Sequence, residues 1–180
     1  TVAYTYTYMG NQLEQGHYKL FVNPTSDGGC IAIRTLKTPQ YLPYINPDGG
    51  ALHAIHIIKL DAAGNTQWDK KYQDGEKTYH NGGSSLGQFI DQTADGGYML
   101  TSTFGEPYYP LLKLDANGNV TWGKNTTPVF VKNVTKQTTD GGYITAGTNL
   151  IQKLDATGNL VWQKQYEFGD SFYDIVLTSE

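Results

Sequence analysis

The sequence has one cysteine, Cys30, and few charges: Asp, Glu, Lys and Arg together make up 17% of its 180 residues. A lone cysteine excludes an internal disulfide framework and any metal cluster built on several thiolates. Cys30 itself reads as a small, buried apolar residue. No stretch approaches the ~18 consecutive apolar residues of a membrane-spanning helix, so membrane insertion is not expected. Basic residues are scarce and dispersed and the net charge is −4. That excludes a general nucleic-acid binder, which needs a basic footprint to displace counterions. No secretory leader is visible. The chain begins at Thr1 without a methionine, which reads as a processed product, an expression segment or part of something longer.

What is abundant points one way. Gly is 21 and Tyr is 14, more than the 6 Phe and 3 Trp combined. Chains rich in Tyr, Thr and Gly with few charges form sheets joined by tight turns. Two cassettes alternate along this one. KLDAAGNTQW (59–68), KLDANGNVTW (113–122) and KLDATGNLVW (153–162) are copies of the first. TSDGGC (25–30), TADGGY (93–98) and TTDGGY (138–143) are copies of the second. Successive Trp residues lie 54 and 40 positions apart, and the Asp residues of the second cassette 68 and 45. Fixed punctuation with elastic spacers at this period suits one small sheet per repeat.

Each cassette has a turn reading. Asp-Gly between two alternating runs predicts a tight hairpin turn of the primed type, with positive φ where Gly carries no penalty. In the KLD cassette, Asp61, Asp115 and Asp155 open a type I turn by accepting backbone N–H bonds. Gly64, Gly118 and Gly158 close it in the left-handed region. Four strands per repeat follow, and no segment reads as a helix. They are expected over 18–23, 30–36, 52–60 and 66–72 in the first repeat, and over 86–92, 98–104, 109–114 and 120–125 in the second. In the third they fall at 129–136, 143–147, 150–154 and 160–166. Four-stranded antiparallel sheets recurring at this period are the blades of a β-propeller. The expectation is an all-β, single repeat domain with three blades (18–72, 86–125 and 129–166). Trp68, Trp122 and Trp162 are expected to wedge between neighbouring blades.

DGGY followed by KLDxxGNxxW resembles the propeller-type repeats of large secreted and surface proteins of bacteria and archaea, over nearly the whole chain. A more distant likeness is to the quinoprotein propellers, whose Trp-docking motif also runs from an Asp through a Gly to a Trp. Here Gly follows Asp by three positions and Trp by seven, one shorter than in that family. The resemblance implies the architecture and an extracellular or cell-surface location. It carries over no quinone, and no cofactor or metal is expected.

The termini do not complete the pattern. Residues 1–9, with alternating Tyr and Thr, occupy the place of an outer strand, and 171–179 that of an inner strand of an incomplete blade. Known propellers have about 4–8 blades, so three do not close a ring. Three arrangements are open: a piece of a longer propeller, closure through a symmetric partner, or strand donation between subunits. The partners implied are other blades or copies of itself.

Length variation is confined to the loops opposite the stereotyped turns, where binding is usually built. Those loops carry Tyr41 and Tyr44 among Pro39, Pro43 and Pro47, then Tyr79 and His80, then Tyr108 and Tyr109. Tyr-rich loops with few charges suit contacts with glycans or surface proteins, or pack on one another to hold long loops down. Catalysis has little support. His53 and His56, three apart on a strand, point to opposite faces. No nucleophile-elbow, zinc-binding or phosphate-loop pattern occurs. DANGN and DATGN lack the later carboxylates of a calcium loop. The Asn-x-Thr sequences at Asn119, Asn125 and Asn133 accept glycans only where the source glycosylates. The function expected is a non-enzymatic extracellular structural or adhesive module. A carbohydrate- or protein-binding module is the first alternative, and part of a propeller hydrolase the second.

Overall fold

A computed structural model describes residues 20–37, 53–73, 89–101, 111–124, 134–147, 149–167, 172 and 174–178. They form twelve strands in three antiparallel sheets, each built in simple up-and-down order. Blade one holds β1 (Leu20–Pro24), β2 (Cys30–Lys37), β3 (His53–Leu60) and β4 (Thr66–Gln73). Blade two holds β5 (Phe89–Gln92), β6 (Tyr98–Thr101), β7 (Leu111–Leu114) and β8 (Val120–Lys124). Blade three holds β9 (Val134–Gln137), β10 (Tyr143–Gly147), β11 (Leu150–Leu154) and β12 (Leu160–Gln165). The chain is all-β and its blades are of propeller type, in an open row. No helix occurs among the described residues.

The blades stack through alternate faces, as period-two side-chain geometry requires. Ile31, Ile33, Ile55 and Ile57 of blade one bury against Ile90, Tyr98, Leu100, Leu112 and Leu114 of blade two. The opposite face of blade two, with Met99 and Leu111, packs on Tyr143 and Leu154 of blade three. Blade two is therefore apolar on both faces, and every residue of β6 and β7 is buried, including Lys113. Inner strands stand side by side, β1 and β2 against β5, and β5 and β6 against β9.

One expectation needs correction. The DGG turn is not a two-residue primed turn. Gly28 N–H donates to the Thr25 carbonyl and Thr25 N–H to the Gly29 carbonyl, a three-residue loop, and the second and third copies repeat both bonds. Only the Gly has positive φ: Gly28 at 80°, Gly96 at 79° and Gly141 at 81°. The loop takes this form because Asp27 Oδ1 accepts both the Thr25 hydroxyl and Gly29 N–H, a bracket that the Thr-x-Asp-Gly-Gly order builds locally. Of the stretch 171–179, residues 172 and 174–178 are described, and they lie in no strand. Residues 1–9 lie outside the described residues.

Candidate functional site

The two cassettes meet on one edge of each blade and lock together. In the strand register Ile31 faces Lys59 and Cys30 faces Leu60, so the DGG turn sits beside the start of the KLD turn. Lys59 Nζ reaches Asp27 Oδ2 at 2.7 Å and the Leu60 carbonyl at 2.7 Å. Lys113 pairs with Asp95 at 2.8 Å, and Lys153 with Asp140 at 2.9 Å. These lysines are covered while their aspartates are open: Lys59 and Lys113 are 2% and 5% exposed. The ammonium thus lies beneath the turn and its carboxylate caps it from the solvent side. The second Gly of each DGG lets the strands come this close. A Cβ on Gly29, Gly97 or Gly142 would lie 2.0–2.3 Å from the carbonyl of Leu60, Leu114 or Leu154.

The carboxylates are held ionised. Hydrogen bonds from Lys59, then from Thr25 and Gly29, hold Asp27 well below the usual carboxylate range. Thr138, Lys153 and Gly142 do the same for Asp140. For Asp95, desolvation raises the pKa, but Lys113, Thr93 and Gly97 outweigh it and leave it at about 2. In the KLD turns the donors are backbone and amide groups. Asp61 accepts Ala63 N–H at 2.9 Å, Asn65 N–H at 2.8 Å and the Asn65 side-chain amide at 3.1 Å. Asp115 and Asp155 repeat the set on Asn119 and Asn159. Asp155 is lowered to about 2, first by Asn159 and then by Thr157. Carboxylates held this low are poor proton acceptors near neutrality.

The same turns carry the joints between blades. Trp68 leaves β4 and lies over the KLD turn of blade two. Its Nε1–H donates to the Ala116 carbonyl at 3.0 Å, and its ring stands edge-on to Tyr98, centroids 5.7 Å apart. The seat exists because Gly118 has no side chain: a Cβ there would meet the indole at 3.0 Å. Lys70 Nζ donates to Asn119 Oδ1 at 2.6 Å, and Tyr72 Oη to the Gly118 carbonyl. One blade on, Trp122 stands edge-on to Tyr143 at 6.1 Å and against Gly158, while Lys124 donates to Asn159 Oδ1. Side-chain amides clasp the inner edge. Gln92 Oε1 accepts Ser26 N–H, and Gln137 Oε1 accepts Ala94 N–H, each at 2.7 Å.

Trp162 differs. It occupies the same place in its cassette but is 47% exposed, because no described blade lies beyond β12. The Tyr-rich loop candidates Tyr41, Tyr44, Tyr79, His80, Tyr108 and Tyr109 lie outside the described residues.

One further titratable group is buried. His56 is 4% exposed; its Nδ1 accepts Arg34 Nε–H at 2.9 Å, and its Nε2 faces Asp69 Oδ1 at 2.5 Å. An acceptor Nδ1 puts the ring proton on Nε2, donated to the carboxylate. Arg34, His56 and Asp69 thus form a cross-strand polar chain through blade one, and no hydroxyl or thiol bonds the ring among the described residues. Sequence reasoning missed the buried lysines and the arginine and carboxylate that hold His56. The register between β2 and β3 was the signal that places Asp27 beside Lys59. No group of three His, Cys, Asp or Glu side chains suited to a metal ion occurs among the described residues.

No family model matches the chain, and no curated protein is similar to it. Among solved structures, a protein of unknown function from Bacteroides caccae is similar at 17% sequence identity, with a TM-score of 0.43. The similarity covers 86% of this chain and 63% of that one.

Proposed function

We propose that this protein is a non-enzymatic scaffold, an extracellular structural or adhesive module whose blades present loops on a rigid frame. One observation carries the reading. The aspartates of both turn cassettes, the lysines that pair with them and the buried His56 are committed to the frame. Three Asp–Lys pairs lock the turns, three more aspartates shape the KLD turns, and His56 is held between Arg34 and Asp69. A general base needs a free lone pair near neutral pH, and a nucleophile needs a base beside it. The extracellular placement rests on the resemblance of the repeats to those of secreted and surface proteins. Fold by itself does not decide function.

The test pairs two measurements on the intact chain. Chromogenic glycosides, esters and phosphomonoesters are incubated with the protein and with His56→Ala. Turnover above that of heat-denatured protein, lost in His56→Ala, overturns the scaffold reading. No turnover, together with saturable retention on glycan- or matrix-protein-coated beads, supports it.

A further inference from the structure

The described body ends in two faces that are uncovered versions of its own internal joints. On blade three, β12 is exposed throughout, with Val161 at 60% and Trp162 at 47%. Ile144 and Ile151 are half-buried, whereas Ile31 and Met99, and Ile57 and Leu111, which hold the equivalent places in blades one and two, are buried. On blade one, Val22 is 52% exposed, and Cys30, Ala32, Ile58 and Leu60 of the same face are half-buried. Their counterparts Ile90, Tyr98, Leu100, Leu112 and Leu114 in blade two are buried. The KLD turn of blade one is likewise an empty seat. Gly118 and Gly158 are buried under Trp68 and Trp122, but Gly64 is exposed, and no described atom lies within 4 Å of where its Cβ would stand.

We propose that these two faces are mates, and that blade three of one copy docks on blade one of a second copy. The internal joints supply the template. Trp162 sits over Gly64 of the second copy, its Nε1–H donated to the Ala62 carbonyl, as Trp68 sits over Gly118 and bonds Ala116. Lys164, two residues beyond the Trp, takes the place of Lys70 and Lys124 and donates to Asn65 Oδ1. Tyr166, four residues beyond, takes the place of Tyr72 and donates to the Gly64 carbonyl. Before docking, Lys164 and Tyr166 rest on each other, with Nζ 5.5 Å from the ring centre. Two parts differ from the template. Cys30 replaces the Tyr that receives the Trp edge, giving a sulfur–aromatic contact in its place. Pro24 stands where Gln92 and Gln137 stand, so the amide clasp is absent at this joint.

The second copy is the occupant because this one chain carries both halves of the joint. A head-to-tail contact repeats until it closes. The described bodies of two copies bring six blades, inside the range of about 4–8 found in closed propellers, and close through two equal joints. This docking stands on blade geometry and does not depend on what surface the module adheres to.

The test is sedimentation velocity on the intact chain from about 1 to 500 µM, with steady-state far-UV circular dichroism as the folding control. The expected result is a species of twice the 19.9 kDa chain mass. Trp162→Ala raises its dissociation constant at least tenfold, with the monomer spectrum unchanged. Gly64→Asn does the same, since Asn tolerates the left-handed conformation but fills the seat. A 1:1 mixture of the two variants, each retaining the opposite half, re-forms a dimer that neither gives alone. A second readout is Cys30, whose reaction with a thiol reagent slows as the dimer fills. A chain that stays monomeric at 500 µM overturns the proposal and leaves the faces to further blades of a longer polypeptide. A dimer indifferent to both substitutions overturns it by placing the contact elsewhere.

Discussion

Trp122→Ala and Trp162→Ala remove the same side chain from almost the same local sequence, so their difference isolates the blade-to-blade joint. Contacts with the residue's own sheet are common to both and cancel, and differences in buried area are more trustworthy than absolute sums. Trp122 is largely covered by blade three, whereas Trp162 is 47% exposed. A buried Trp covers up to about 250 Å², so a quarter of that, at ~25 cal/mol/Å², is worth about 1.5 kcal/mol. The edge-on contact with Tyr143 adds about 1 kcal/mol. Trp122→Ala is therefore expected to cost about 2.5 kcal/mol more than Trp162→Ala. Trp68→Ala, which also loses the bond to Ala116, is expected to cost about 3.5 kcal/mol more. The assay is urea unfolding of dilute protein, below any self-association, comparing midpoints at constant m. If the cost of Trp162→Ala matches that of Trp122→Ala within about 0.5 kcal/mol, the indole is stabilised by its own sheet and the joint argument fails.

Three further outcomes are expected. Gly118→Ala sets a methyl 3.0 Å from the Trp68 ring at a residue with φ of 75°, so left-handed strain and overpacking should cost about 2–4 kcal/mol. Gly64→Ala, at φ 83° with an empty seat, should cost only the strain, about 1–2 kcal/mol; equal costs in urea curves would take Trp68 off that turn. Asp95→Ala leaves the buried Lys113 ammonium with the Leu114 carbonyl and should cost about 3–5 kcal/mol. Lys113→Met lets the exposed Asp95 rehydrate and should cost about 1–2 kcal/mol, and the reverse order would refute the capping geometry. Asp95 and Asp155 titrate at about 2 when folded against 3.8 as free side chains, and Asp27, Asp61, Asp115 and Asp140 are also lowered. Because the folded pKa values are depressed, their stabilisation is complete above about pH 5 and is lost as pH falls through about 4 to 2. The urea midpoint should drop as pH falls from about 5 towards 2, and a midpoint that rises over that range contradicts the assignment.

Most of the frame was legible because its signals are local. β10 at Tyr143–Gly147 and β11 at Leu150–Leu154 begin and end where expected, since a DGG turn precedes one and a KLD turn follows the other. Turn chemistry acts within five residues and can be read from five residues. The DGG loop was misread because Asp-Gly alone suggests a two-residue turn, while the third loop residue is bracketed by a Thr–Asp bond. Lys59 alternates with Ile58 and Leu60 and so reads as a solvent-facing strand residue. Its burial depends on Asp27, which is 32 positions away in sequence and adjacent only once β2 pairs with β3. The exposure of Trp162 was illegible for a different reason. Nothing in KLDATGNLVW distinguishes it from its two relatives, and only the absence of a described blade beyond it does.

The cassettes therefore perform two tasks with one set of residues, and the tasks have different ranges. Within a blade, Asp, Gly and Lys close the turns, and that energy is complete in every copy. Between blades, Trp, Lys and the Asn of the next turn form a joint that exists only where a neighbour does. In repeat arrays, stability is a sum of such internal and nearest-neighbour terms. Among the described residues, blade two has both joints and buries all of β6 and β7, while blades one and three have one each and keep apolar residues exposed. A blade with one joint is thus weaker than a blade with two, for reasons its own sequence does not contain. Whatever covers Trp162 must bring a glycine turn, an accepting carbonyl and an Asn side chain in fixed relation, and Ala62, Gly64 and Asn65 hold that relation on blade one of this same chain.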